Sequence, residues 1–243
     1  MHRFAREDEL DALIARKGVE PADLAAFGAL IADQHQRAPV ATRDAGAPPV
    51  VHRAARQNVN DLRSMCAVDA LDRLAEWIEL HWPACAVILE RRRAAGRVRE
   101  CHGDLHCGNV VRLRDRLVPF DGIDFDPALR FIDVASDIAF LIMDLEFHSR
   151  RDLAMACLSA WLELSGDYDA GACLRFFFVY RALVRSKIAT LRARQMSGVA
   201  GDAAQMQAER YIESAWQYAK RGTGALVLMH GFSGSGKSTL ARA

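Results

Sequence analysis

The sequence predicts a mainly α-helical protein with a small β patch near its middle, followed by the opening strand and loop of a second, α/β unit. Three observations predict this. Apolar residues recur at helical spacing through residues 10–95 and again through residues 133–220. Short runs of strand character cluster around residues 98–120, between those two helical stretches. Near the C-terminal end an apolar run enters a glycine-rich loop that leads into a helix-like start.

Each element follows from local chemistry. Leu10, Leu13 and Ile14 make one helical face before Gly18, and Pro21 opens a second helix carrying Leu24, Phe27, Leu30 and Ile31. Residues 38–49 are rich in Ala, Pro and Gly without periodicity and read as a loop. Helix resumes near Asn60: Leu62, Met65, Leu71, Leu74 and Ile78 keep the period until Pro83, which is expected to end or kink it. A further helix runs through Val87 and Leu89 to the arginines at 91–93 and stops at Gly96. Strands are predicted at residues 98–101, 109–113 and 117–120, with charged turn residues between the last two. Four helices then follow, at residues 133–147, 151–164, 169–194 and 203–220. The third has a wide core face through Leu174, Phe177, Leu183 and Ile188.

Bulk properties exclude several classes. Lys+Arg 32 against Asp+Glu 31 leaves a net charge of +1, so no global field recruits nucleic acid or an anionic membrane. The apolar stretch at residues 139–143 is bounded by Asp137 and Asp144 and is far shorter than the roughly 20 residues of a spanning helix. Six cysteines with no C-x-x-C pair, and a charged rather than signal-like start, point to reduced thiols in a cytoplasm.

The segment H-G-D-L-H-C-G-N at residues 102–109 lies between two predicted strands, and F-D-G-I-D-F-D follows at residues 120–126. Phosphoryl transfer needs a carboxylate at the attacking hydroxyl and oxygen ligands that hold Mg²⁺ on nucleotide phosphates. Asp104 suits the first task; Asn109 with a carboxylate of the next segment suits the second. These motifs resemble the aminoglycoside phosphotransferases and related small-molecule kinases, whose catalytic loop reads H-G-D-x-H-x-x-N. The match takes in His102, Gly103, Asp104, His106 and Asn109, and extends to D-V-A-S-D-I-A-F at residues 133–140. The resemblance implies a kinase-like large lobe that transfers the ATP γ-phosphate to a hydroxyl, with Asp104 as catalytic base. It also implies Asn109 and Asp121 as Mg²⁺ ligands and Asp137 as an anchor beneath the loop, with His102 and His106 supporting the loop. Asp124, three residues on, competes with Asp121 or joins it. A zinc cluster of Cys101, His102, His106 and Cys107 is the bland alternative, but adjacent residues on a strand end point to opposite sides. Asp126 and Asp133 are read either as turn and cap residues or as part of the site.

The run G-F-S-G-S-G-K-S-T at residues 231–239 satisfies the phosphate-loop pattern G-x-x-x-x-G-K-[ST]. Gly231, Gly234, Gly236, Lys237, Ser238 and Thr239 are the expected nucleotide-binding residues, the loop's amides and helix start facing phosphate. A boundary at residue 222 separates a kinase-like unit, 1–222, from this beginning of a P-loop unit, 223–243. Together the two resemble bacterial proteins in which an aminoglycoside-phosphotransferase-like domain precedes a P-loop ATPase or kinase domain. Before His102 there is no glycine-rich strand-turn-strand and no lysine of the V-A-I-K type, and six residues follow Lys237. The expectation is therefore a fragment lacking the N-terminal kinase lobe, with weak activity of its own. The expected partner is a small hydroxylated molecule, a sugar or aminoglycoside-like compound; acidic residues around Asp124, Asp126 and Asp144 read either as favouring a cationic sugar or, equally, as metal-site or surface carboxylates. Alternatives are a P-loop ATPase with a ligand-sensing half and a non-catalytic interaction protein.

Overall fold

A computed structural model describes residues 4–42 and 45–221. The predicted boundary at residue 222 and the P-loop unit lie outside the described residues. Helices α1 (Leu10–Ala15), α2 (Pro21–Arg37), α3 (Pro48–Met65) and α4 (Ala70–Ala94) come first. Strands β1 (Val98–Glu100), β2 (Val110–Leu113) and β3 (Arg116–Pro119) follow, then the single turn α5 (Pro127–Arg130) and β4 (Phe131–Asp133). Helices α6 (Val134–Phe147), α7 (Arg151–Ser165), α8 (Gly171–Gln195) and α9 (Val199–Lys220) complete the described fold.

The β patch is two separate antiparallel pairs. β1 pairs with β4, Val98 opposite Asp133 and Glu100 opposite Phe131. β2 pairs with β3 around a two-residue turn whose Arg114 and Asp115 have φ of 48° and 61°. Two left-handed residues match the right-handed twist of the flanking strands, so the hairpin closes tightly. The sequence reading missed β4, because three residues between a turn and a helix carry too little periodicity to register.

Two further expectations are corrected. Helix α3 starts at Pro48, twelve residues before Asn60, since a proline in the first turn lacks only an amide that has no helical acceptor. Pro83 does not end its helix: α4 runs through it to Ala94. Pro83 and Glu79 are both exposed, so the missing amide falls on the solvent side of the helix, where losing one backbone hydrogen bond costs least. The real break falls at residues 66–69, hidden because Leu62, Met65, Leu71 and Leu74 keep their apolar spacing across it.

Helix α6 is the hub. Every residue from Val134 to Leu145 is buried, which marks a helix enclosed on all sides, here by α7 and α8 among others. α2 lies against α7 with no room to spare: a Cβ on Gly28 would stand 2.2 Å from the Cys157 carbonyl oxygen. That close approach brings the C-terminal end of α2 to α6, beneath the catalytic-loop sequence. Arg92, buried on α4, forks onto Asp133 and Asp167, all four contacts at 2.8 Å, and ties β4 to α4 and the start of α8. Asp133 also caps α6 through the Ala135 amide, and Asp126 caps α5 through that of Ala128. Both are therefore cap residues. Among the described residues, no helix is long and apolar enough to cross a membrane.

Candidate active site

Residues 101–109 leave β1, cross α6 between Asp137 and Asp144 and enter β2 through a 3-10 turn, Cys107–Asn109. Two aspartates of α6 hold this loop from below. Asp137, 1% exposed, accepts the Gly103 amide at 2.9 Å and the His102 amide at 3.3 Å. Asp144, 0% exposed, accepts the Cys107 amide at 2.9 Å. The two stand seven residues apart, two turns on one helical face, which spans about 10 Å of loop. Arg181 on α8 completes the frame by donating to the Gly103 carbonyl at 3.1 Å. Gly103 itself has φ +83°, and a Cβ there would stand 2.8 Å from the Leu129 carbonyl oxygen, so glycine is required at the turn.

Behind Asp137 stands His35, the last buried residue of α2. Its Nε2 lies 3.1 Å from the carboxylate, and its Nδ1 accepts the Trp161 indole N–H at 3.1 Å. Because the indole can only donate, Nδ1 is the acceptor and Nε2 carries the proton toward Asp137. Burial alone would raise the Asp137 pKa. The hydrogen bond from His35 and the nearby His102 and Arg181 outweigh it and hold the carboxyl below its usual range. Asp144 behaves alike: burial is offset by Arg185, whose Nε is 3.8 Å away, and by the Tyr211 hydroxyl at 2.6 Å. The sequence reading missed His35, Arg181, Arg185 and Tyr211. Asp144 carried one legible signal: paired with Asp137 at i, i+7 in an otherwise apolar helix, it had to face a polar partner.

On the loop, the Asn109 Nδ2 donates to the Asp104 carbonyl at 2.9 Å and to its carboxylate at 3.0 Å. His106 accepts the Gly108 amide at Nδ1, so its protonated Nε2 faces Asp104 Oδ2 at 3.5 Å. His102 does the same for the backbone: Nδ1 accepts the Asp104 amide, and Nε2 lies 2.8 Å from the Phe120 carbonyl. Burial pushes the Asp104 pKa up, but His106, Arg181 and Arg185 prevail and the group is held below the ordinary carboxylate range. The Phe120 amide donates to the Asn109 carbonyl and the Ile123 amide to that of His102, which sets the segment carrying Asp121 and Asp124 alongside the loop.

Asp104, Asn109, Asp121 and Asp124 all line one cleft of about 870 Å³, walled on the far side by α3 and α8. Neither Asp121 nor Asp124 has a hydrogen-bond or ion-pair partner among the described residues, and Asp121 is held at φ 58°. With its Nδ2 committed to Asp104, Asn109 has its side-chain oxygen left for a cation. Two open carboxylates and an amide oxygen are hard donors that fit Mg²⁺. The zinc alternative does not hold together: Cys101 groups with His35 and Asp137, Cys107 with Asp144 and His148, and His102 and His106 join neither group. Gly231, Gly234, Gly236, Lys237, Ser238 and Thr239 lie outside the described residues.

A sequence model described as the phosphotransferase enzyme family matches residues 7–177. The chain belongs to this family. The span matched by the phosphotransferase family runs from the first turn of the described fold, through the loop, to the first third of α8. Uncharacterized proteins of Mycobacterium bovis and Mycobacterium tuberculosis are each 29% identical over 250 residues, covering 100% of this chain and 49% of theirs. The chain thus spans about half the length of the curated relatives it matches. A solved glucosamine kinase (crystal form A) superposes with a TM-score of 0.51 at 17% identity, over 86% of this chain and 57% of that one. At that identity the likeness speaks for the fold alone, and the fold is kinase-like.

Proposed function

We propose that this phosphotransferase-family chain carries the catalytic lobe of an ATP-dependent small-molecule kinase whose acceptor is a hydroxyl. The observation that carries the reading is the meeting of Asp104, Asn109, Asp121 and Asp124 in one cleft, on a loop fixed to α6 at both ends. Asp104 is the residue at the acceptor, oriented by Asn109 and His106. A carboxylate with a lowered pKa is a weak base, which suits a loose transition state: it orients the hydroxyl and takes its proton late, as the O–P bond forms. Asn109 and Asp121, with Asp124 beside them, would hold Mg²⁺, which neutralises charge on the nucleotide phosphates. Catalysis here is chiefly positioning, so the buried frame of Asp137, Asp144 and Arg181 supports the rate without touching substrate.

The test is acceptor-dependent ADP release from Mg-ATP across a panel of hydroxylated small molecules, comparing the chain with its Asp104→Asn variant. Transfer abolished by the substitution supports the reading. Transfer that survives it unchanged removes Asp104 from the reaction and overturns the assignment.

A further inference from the structure

Charge is uneven across the cleft: apart from Arg6 on the N-terminal segment, its arginines stand on one wall. Its carboxylates, Glu9, Asp11, Asp104, Asp121, Asp124 and Asp133, come from the N-terminal segment, the catalytic loop and the segment between β3 and α6. The opposite wall is built by α3 and α8. From α8 it takes Arg181, Arg185, Ile188 and Arg192, spaced i, i+4, i+7 and i+11, which is one stripe of a helix. From α3 it takes Val50, Val51, Ala54, Gln57 and Asn58, none of them charged. Among the described residues, then, this wall presents three guanidiniums and no carboxylate.

The three arginines differ in what they have left to give. Arg181 is committed to the frame: Nε faces Ser136, Nη1 donates to Gly103, and the group lies over the Phe140 ring. Arg185 is held by one edge only, its Nε 3.3 Å from the Tyr211 hydroxyl and 3.8 Å from Asp144. Its two terminal amino groups make no hydrogen bond to any described residue. Asp144 meets this guanidinium only at that longer distance, because its oxygens already accept the Cys107 amide and the Tyr211 hydroxyl. Arg192, two turns along α8 and exposed, has neither ion pair nor hydrogen bond among the described residues. A guanidinium anchored by Nε with its outer edge open is the geometry that receives a carboxylate or phosphate.

We propose that the acceptor bears an anionic group, carboxylate or phosphate, bound at the α3–α8 wall by Arg185, with Arg192 adding attraction at the rim. The inference rests on the kinase reading of the same cleft. It sets aside the cationic sugar, one of two readings of the acidic residues, since Asp144 is buried beneath the loop and a cation at this wall would meet like charge. Arg185 and Asp104 line the same cleft, so an anion held by Arg185 leaves a neighbouring hydroxyl on the side of the base.

The test is calorimetric titration, without nucleotide, of glucose, glucosamine, glucuronate and glucose 6-phosphate into the full chain and into Arg185→Gln and Arg192→Ala. One or both anionic sugars should bind about 10- to 100-fold more tightly than glucose, the strength of one charge-assisted pair. The glucuronate and glucose 6-phosphate arms tell carboxylate from phosphate. Arg185→Gln should abolish the preference, and Arg192→Ala, at an exposed site that cannot unsettle the fold, should reduce it about 2- to 5-fold. Dependence on these arginines assigns binding to the cleft rather than to the glycine-rich loop at residues 231–239. Equal binding of all four sugars, tighter binding of glucosamine, no saturable binding of either anion, or anion binding that survives both substitutions overturns the proposal. Transfer is read separately: ADP release that survives Asp104→Asn unchanged counts against the kinase reading, while the titration still decides anion selectivity.

Discussion

Replacing His35 with leucine tests whether the loop at residues 101–109 is held from α2, a helix that begins about eighty residues before it. His35 donates to buried Asp137 and accepts from buried Trp161, at 3.1 Å each. Losing a hydrogen bond to a charged carboxylate removes about 1.5–3 kcal/mol, and leaving the indole N–H unpaired costs about 1–3 kcal/mol. Apolar packing by leucine recovers part of this, so the expected loss of stability is about 2–4 kcal/mol, which a domain stable by about 5–15 kcal/mol survives. Urea denaturation at neutral pH should show the midpoint falling with the m-value unchanged. Trp161→Phe deletes the indole N–H, so in a double-mutant cycle its effect should shrink in the leucine background. The pH dependence has a defined sign. The folded-state pKa of Asp137 lies below its unfolded value, so its stabilisation is present above about pH 3.9 and is lost as pH falls through the folded value. Leucine reduces that depression, so the two stability curves should converge as the solution is acidified below about pH 4. A loss under about 1 kcal/mol, or additivity of the two substitutions within about 0.5 kcal/mol, refutes the reasoning.

Asp104→Asn should lower transfer by at least about 100-fold while Mg-nucleotide affinity, measured by calorimetry, stays near that of the parent, since shape is kept and the proton acceptor is lost. Asp121→Asn should raise the Mg²⁺ concentration needed for half-maximal activity more than Asp124→Asn does, because Asp121 directly follows Phe120, whose amide bonds to Asn109; a larger effect at Asp124 reverses the assignment. Arg92→Met leaves buried Asp133 with only the Ala135 amide and buried Asp167 with Arg97 at 3.8 Å as its ion pair, and should lower stability by about 3–5 kcal/mol in thermal or urea denaturation. Pro83→Ala should change stability by less than about 1 kcal/mol, since α4 already tolerates the proline on its wet face.

Helices with one apolar face were legible wherever period and boundary residues agreed. Pro21 marks the start of α2, and α6 to α9 fall within a few residues of the expected spans. Legibility failed where two cues conflicted. The prolines at 48 and 49 serve a helix start but read as loop, and the apolar period that crosses residues 66–69 concealed a true break. β4 exists because β1 needs a partner for its amides and carbonyls, a requirement set by the neighbouring chain rather than by three residues alone.

By itself, the sequence singled out candidate groups: an Asp, an Asn and two further Asp at intervals that resemble a phosphotransferase loop, and two aspartates set in an apolar helix. Those are local facts of residue type and interval. What holds the groups in place was decided only by tertiary structure. His35 reaches Asp137 across 102 residues, Trp161 reaches His35 across 126, and Tyr211 reaches Asp144 across 67. No interval in the chain marks these pairs, because a buried polar group accepts whichever donor the packing of α2, α7 and α9 against α6 and α8 brings to it. The same packing turns three arginines on α8 toward the cleft, and so gives the α3–α8 wall a charge that composition, with its net +1, does not disclose.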